Sequence, residues 1–237
     1  MNQITILFIF LLFLLSPKVF ATELIVGYPE FPPYTFTDQK QAKGLGIDLI
    51  NKLAKNLKLT IKLKAIETYG NGKTRLKLGR IDALLLASKN AERDNIAVFS
   101  TPYLNNNWSW FARLGTKYDY DSSQSKRHLK IATYKGANTH QWLKDNHYNI
   151  IYPTTDIQAM IRQLFTQRVD AIFLSEQVFL QALNNSKWSK NELEKHQYIQ
   201  QPFGIYVSKK FLEGRPTFMK ELNAQIRKIK QLTPIVL

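Results

Sequence analysis

Cysteine is absent from all 237 residues. That absence excludes a disulfide framework and a lipid-anchored cysteine at a processing site. It suits an oxidising compartment as well as a reducing one. Acidic residues are scarce, 18 against 33 Lys and Arg, leaving a net charge of +15. The basic residues are scattered, with no run of five or more, and no nucleic-acid-binding module is present. Nucleic acid is therefore not an expected partner. A basic surface beside anionic lipid or wall polymer suits the balance better. The four histidines, His128, His140, His147 and His196, show no metal-ligand spacing. Gly44-Leu45-Gly46 lacks the third glycine of a dinucleotide fingerprint and follows no strand directly. No metal and no cofactor is expected. Ser123-x-x-Lys126 matches a short acyl-transferase pattern, but its companion motifs are missing.

Long apolar runs are also missing, except at the start. Ile4 to Leu15 is apolar apart from Thr5, and Val19-Phe20-Ala21 follows Pro17 and Lys18. This pattern predicts a secretory signal peptide over residues 1–21, cleaved after about Ala21. The run is shorter than the roughly 20 apolar residues of a membrane-spanning helix. Left uncleaved, it would be a membrane anchor. The exported remainder is long enough to bury a core, as one large domain or two small ones.

The rest alternates between two periodicities. Residues 24–27 read as a short buried strand, and Pro29, Pro32 and Pro33 then force an irregular loop. Ile47, Ile50, Leu53, Ala54 and Leu57 recur at helical spacing. Residues 59–65 alternate as a half-buried strand. A short helix over 73–78 and a strand over 81–87 follow. The second half repeats this grammar, with strands over 129–134, 149–152 and 169–174. Helices are predicted over 138–146 and around Ile157 to Phe165, the latter capped by Thr155 or Asp156. A last helix opens at Pro216 and buries Phe218, Leu222, Ile226 and Ile229. Strands alternating with helices imply parallel sheets covered on both faces.

One internal echo stands out. Arg80-Ile81-Asp82-Ala83 and Arg168-Val169-Asp170-Ala171 each open an apolar run and follow a helix carrying a leucine, Leu76 or Leu164, four residues earlier. Two lobes of like architecture account for the repeat. Ligands in such sheets lie beyond the carboxyl ends of the strands. Ser88 on one side, and Ser175 and Glu176 on the other, would then face one cleft.

The ordered motifs resemble those of the family 3 solute-binding proteins of bacterial ABC uptake systems. LIVGYPEFPPYTF (residues 24–36), Gly46-Ile47-Asp48, Gly79-Arg80-Ile81-Asp82-Ala83 and Glu92-Arg93 come first. Phe99-Ser100-Thr101-Pro102-Tyr103 and Gly136-Ala137-Asn138-Thr139 follow. Ala91 stands where that family usually has proline. The resemblance spans Leu24 to about Lys230. It implies the α/β, two-lobed type II periplasmic-binding fold, each lobe a mainly parallel sheet flanked by helices, joined by two crossover hinge strands. Mapped here, residues 23–111 plus 204–237 form lobe one, and 112–203 form lobe two.

The same resemblance implies a site. Arg93 occupies the position of an arginine that clamps a carboxylate, a task its planar fork suits. Ser88 adds a polar contact, and Asn138 and Thr139 open a helix whose N-terminus attracts anions. An N-cap role explains Asn138 equally well. Phe31 and Tyr34 match aromatic positions that sandwich the ligand. Trp108 and Trp110 line either the hinge or the cleft. Ser175 stands where amino-acid binders carry an aspartate for the ligand's ammonium, and Glu176 follows it. The implied protein is no enzyme but a monomeric periplasmic receptor. It closes on a small anionic or zwitterionic solute, most simply an amino acid, for an ABC permease. Two alternatives remain: a dehydratase acting on prephenate or arogenate with Glu176 in proton transfer, and a ligand sensor for a membrane partner.

Overall fold

The structure is a computed structural model that describes residues 23–232. The signal peptide expected over residues 1–21 lies outside the described residues. No helix among the described residues is long and apolar enough to cross a membrane.

β1 (Glu23–Pro29) leads through a hairpin, β2 (Phe36–Asp38) and β3 (Gln41–Lys43), into α1 (Leu45–Leu57). β4 (Thr60–Ile66), α2 (Tyr69–Lys77) and β5 (Ala83–Ser88) follow. The one-turn helix α3 (Ala91–Asp94), β6 (Ala97–Phe99) and the long β7 (Leu104–Arg113) carry the chain across. Next come α4 (Ser123–His128), β8 (Ile131–Tyr134), α5 (Asn138–Asp145) and β9 (Ile150–Thr154). α6 (Ile157–Phe165), β10 (Ala171–Ser175) and α7 (Glu176–Asn184) complete that half. β11 (Leu193–Ser208) returns, and α8 (Lys209–Glu213) and α9 (Phe218–Leu232) end the described chain.

The strands order as β4-β1-β5-β11-β7-β10-β8-β9, with β6 on β11. β4, β1 and β5 are parallel, and so are β10, β8 and β9. β7 and β11 run antiparallel to each other and to the strands beside them. Two parallel half-sheets are thus joined by two long strands that belong to both. The expected chain crossings near residues 111 and 203 fall inside those strands.

Burial, more than helix propensity, holds the outer elements. α9 buries only Phe218, Leu222, Ile226 and Ile229. Each such side chain contributes about 1.5–3 kcal/mol when taken out of water. Propensity differences are mostly below about 0.7 kcal/mol per residue. α6 starts at Asp156, whose carboxylate accepts the Ala159 N–H at 2.8 Å.

The internal echo has a structural basis. Asp82 sits just before β5, and its carboxylate accepts the Ile25 N–H at 2.9 Å while its own N–H donates to the Ile25 carbonyl at 2.7 Å. Asp170 sits just before β10 and repeats both bonds with Lys130, each at 2.8 Å. In both half-sheets an aspartate extends the parallel pairing beyond the strand's end.

Two helix starts differ from the sequence reading. α2 begins at Tyr69 rather than Lys73, because Thr68 Oγ1 accepts the Asn71 N–H at 3.1 Å and caps the helix. Gly72, which reads as a breaker, is needed there: a Cβ would lie 2.7 Å from Ile66 Cδ1 and 2.8 Å from Leu84 Cδ1. α9 begins at Phe218 rather than Pro216, since the Thr217 carbonyl accepts the first helical N–H, from Glu221.

Candidate functional site

The carboxyl ends of β5 and β10 converge on a small cavity of about 20 Å³ between the half-sheets. Ser88 and Arg93 line it from one side. Ala137, Asn138, Thr139 and Ser175 line it from the other. Phe31, Tyr69 and Phe203 add aromatic surface, and Asn106 and Trp108 of β7 form the floor.

Arg93 dominates the electrostatics. Asn90 caps α3 by accepting the Arg93 N–H at 2.8 Å, which aims the side chain inward. The residue is only 3% exposed. Its guanidinium lies 5.5 Å from the Tyr69 ring centre and 5.9 Å from that of Tyr206. Nη1 donates to the Ser88 carbonyl at 2.9 Å, whereas the buried Nε has no partner. Burial pushes the guanidinium below its ordinary value, opposed by Tyr69, Tyr206 and Glu92. It still remains a cation. Among the described residues no carboxylate forms an ion pair with it; Glu92 bonds outward to Lys73. A buried cation without an anion costs several kcal/mol unless a partner arrives.

α5 faces Arg93 across the cavity. Its cap position is Ala137, which provides no side-chain bond. The first helical N–H groups therefore have no intrahelical partner. Asn138 is not the cap. Its Oδ1 accepts from Asn90 Nδ2 at 2.7 Å, and its Nδ2 donates to the Ser88 carbonyl at 3.0 Å. Both bonds cross between the half-sheets. Tyr134 makes a third crossing, its hydroxyl donating to the Glu30 carbonyl at 2.8 Å. Gly136 packs beside them at φ +76°, where a Cβ would approach Thr68 within 3.2 Å. Thr139 is buried, with Oγ1 3.2 Å from Thr133 Oγ1.

Ser175 is 1% exposed and donates to Asn106 Oδ1 at 2.6 Å. Asn106 Nδ2 lies 3.5 Å from Ser88 Oγ, so a neutral polar chain bridges the two strand ends. Two of the sequence-predicted residues stand behind this wall. Tyr34 packs on Phe203 at 5.0 Å, and burial raises its phenol to about 12, partly offset by the nearby Ser175 hydroxyl. Glu176 accepts from Lys195 Nζ at 2.6 Å and from Ser109 Oγ at 3.2 Å.

The other six predicted residues are brought together on the cavity wall. Tyr69, Asn106 and Phe203 were not foreseen as cavity residues. Tyr69 sits in the helix turn whose glycines masked it, and Asn106 lies in a strand that three asparagines disguise. Trp108 reaches the cavity, whereas Trp110 stacks on Tyr120 at 4.4 Å in a separate aromatic core.

A family model, bacterial extracellular solute-binding proteins, family 3, matches residues 24–233. The chain belongs to that family. Solved structures agree on the fold. A histidine kinase sensor domain with similarity to periplasmic binding proteins superposes with a TM-score of 0.76 at 18% identity, covering 89% of this chain and 91% of that one. Holo ArgBP from T. maritima gives 0.71 at 19% identity, covering 88% and 90%. The ancestral amino acid-binding protein AncCDT-1, a precursor of cyclohexadienyl dehydratase, gives 0.72 at 21%, again covering 88% and 90%. No curated protein sequence matches the chain. The family and its structural neighbours are mainly binding proteins of the two-lobed type II periplasmic-binding fold.

Proposed function

We propose that this family member is an exported, periplasmic receptor that closes its lobes around a small carboxylate-bearing solute and delivers it to an ABC permease. Lobe one would comprise residues 23–111 plus 204–237, and lobe two residues 112–203. The observation that carries the reading is Arg93, a buried guanidinium with an unpartnered Nε and no ion pair. A carboxylate entering the cavity would satisfy that charge through charge-assisted hydrogen bonds. The open N-terminus of α5 would hold the same anion from the other lobe. Phe31, Ser88, Asn138, Thr139 and Ser175 complete the proposed contact surface.

The lobe-crossing bonds of Asn138 and Tyr134 form only when the lobes meet. Ligand that bridges Arg93 and α5 would thus favour the closed form, which is hinge closure in energetic terms. Closure of the same kind would serve a sensor. The fold likeness to a histidine kinase sensor domain supports that second use. A dehydratase reading has less support, because Glu176 is engaged by Lys195 and Ser109 behind the cavity wall.

Thermal melting with a panel of carboxylates tests the proposal. At least one should raise Tm in the native protein, and Arg93→Ala should weaken its binding by about 30-fold or more, as loss of one partner of a buried charge pair does. Equal shifts in both proteins would remove Arg93 from the site.

A further inference from the structure

The cavity wall carries a positive charge and, among the described residues, no negative one. Among the described residues Arg93 is the single charged one lining it; the others are neutral. The acids around it are engaged elsewhere. Glu176 holds Lys195 and Ser109. Asp94 accepts from the Tyr206 hydroxyl at 2.9 Å, Glu92 holds Lys73, and Glu30 accepts the Thr37 N–H at 3.0 Å.

The neutral acceptors are partly used. The Ser88 carbonyl receives both Arg93 Nη1 and Asn138 Nδ2. Asn106 Oδ1 receives Ser175, and Asn138 Oδ1 receives Asn90. Arg93 Nε and the first N–H groups of α5 are left as a surplus of positively polarised donors, whereas the acceptor capacity left on hydroxyl and amide oxygens is uncharged.

A carboxylate complements that surplus. An ammonium does not, because it brings three donors and a positive charge and accepts nothing. Buried beside Arg93, it would meet a like charge and no carboxylate. We infer that the ligand is a small carboxylate without a free ammonium, such as a 2-hydroxy, 2-oxo or N-acylated acid. This rests on the carboxylate reading of Arg93 above.

The test is calorimetric titration of the native protein with matched sets sharing one side chain: methyl, isobutyl or benzyl. Each set holds the L-amino acid, its 2-hydroxy acid, its 2-oxo acid and its N-acetyl derivative. In at least one set an ammonium-free member should bind tenfold or more tightly than the amino acid. Ser175→Asp, which puts a carboxylate at the end of β10, should shift that preference at least tenfold toward the amino acid. An amino acid that binds as tightly as its ammonium-free partners in native protein, with binding lost in Arg93→Ala, would overturn this inference and keep the carboxylate reading. Binding that survives Arg93→Ala, or no binding by any member, would overturn both. Should Ser175→Asp fail to fold, the native comparison decides alone.

Discussion

Arg93 and Asn138, from opposite half-sheets, donate to the same carbonyl oxygen, that of Ser88, at 2.9 and 3.0 Å. One acceptor at the end of β5 therefore ties the charged wall of the cavity to the first residue of α5.

The unpaired guanidinium should weaken the ligand-free protein. Arg93→Met keeps much of the volume, removes a buried charge and leaves the Ser88 carbonyl to Asn138. Ligand-free stability, measured by denaturant unfolding, is expected to stay the same or rise by up to about 2 kcal/mol. Carboxylate binding should be lost in the same variant. A fall in ligand-free stability of more than about 1 kcal/mol would show Arg93 to be a structural residue.

Asn138→Ala should act on closure rather than on folding. It removes two hydrogen bonds that cross between lobes, each contributing about 1 kcal/mol. Ligand affinity by calorimetry should drop roughly 30-fold, with Tm of the ligand-free protein within about two degrees of native. Small-angle scattering with saturating ligand should show a larger radius of gyration than native if closure is loosened. An unchanged affinity would mean that the crossing bonds add nothing to closure.

Glu176 and Lys195 should matter for stability and not for ligand. The Glu176 side chain is 11% exposed and that of Lys195 is 45% exposed. Lys195→Met strands a buried carboxylate, at a cost of about 1–3 kcal/mol. Glu176→Gln lets Lys195 turn to water and should cost less. Ligand affinity of Glu176→Gln is expected within twofold of native; a tenfold loss would place the carboxylate in the site.

Acidification should loosen the turn at Gly136. The Gly136 N–H donates to His140 Nδ1 at 3.1 Å, which requires that nitrogen unprotonated. Burial lowers the His140 value from 6.5, with Lys144 and Lys135 acting in the same direction. Because the folded value lies below the unfolded one, the unfolded chain takes up the proton first as pH falls. Stability from this contact is present above pH 6.5 and declines from there toward the folded value. The Tm gap between native protein and His140→Ala should narrow between pH 7 and pH 5. A constant gap would dismiss His140 as a pH-sensitive contact.

Local chemistry made several elements legible in the sequence. The α1 and α6 stripes follow helical spacing, and Asp156 was one of two named caps. The aspartates of the R-[IV]-D-A echo mark matching strand starts, because each replaces a missing ladder bond with its carboxylate. β7 and β11 were not legible. β7 opens on LNNNWSW, and β11 has charged Glu194 and Lys195 near its start and carries Pro202 after two glutamines, so neither shows the alternation of a strand. Their partners are each other, up to about a hundred residues away in the chain, and that pairing supplies what local propensity lacks.

Arg93, Asn138 and Thr139 entered the site only through the family resemblance; the sequence by itself determined the α/β alternation, the twofold repetition and Ser88 at a strand's carboxyl end. Those follow from short-range periodicity and capping, which neighbouring residues settle. Only the tertiary structure decided which groups still have hydrogen-bonding capacity left. Asn138 became a crossing contact instead of a cap, Glu176 was taken by Lys195, and Ser175 by Asn106. Each of those outcomes depends on a partner distant in the chain, and a polar group's chemistry is set by whichever partner reaches it first.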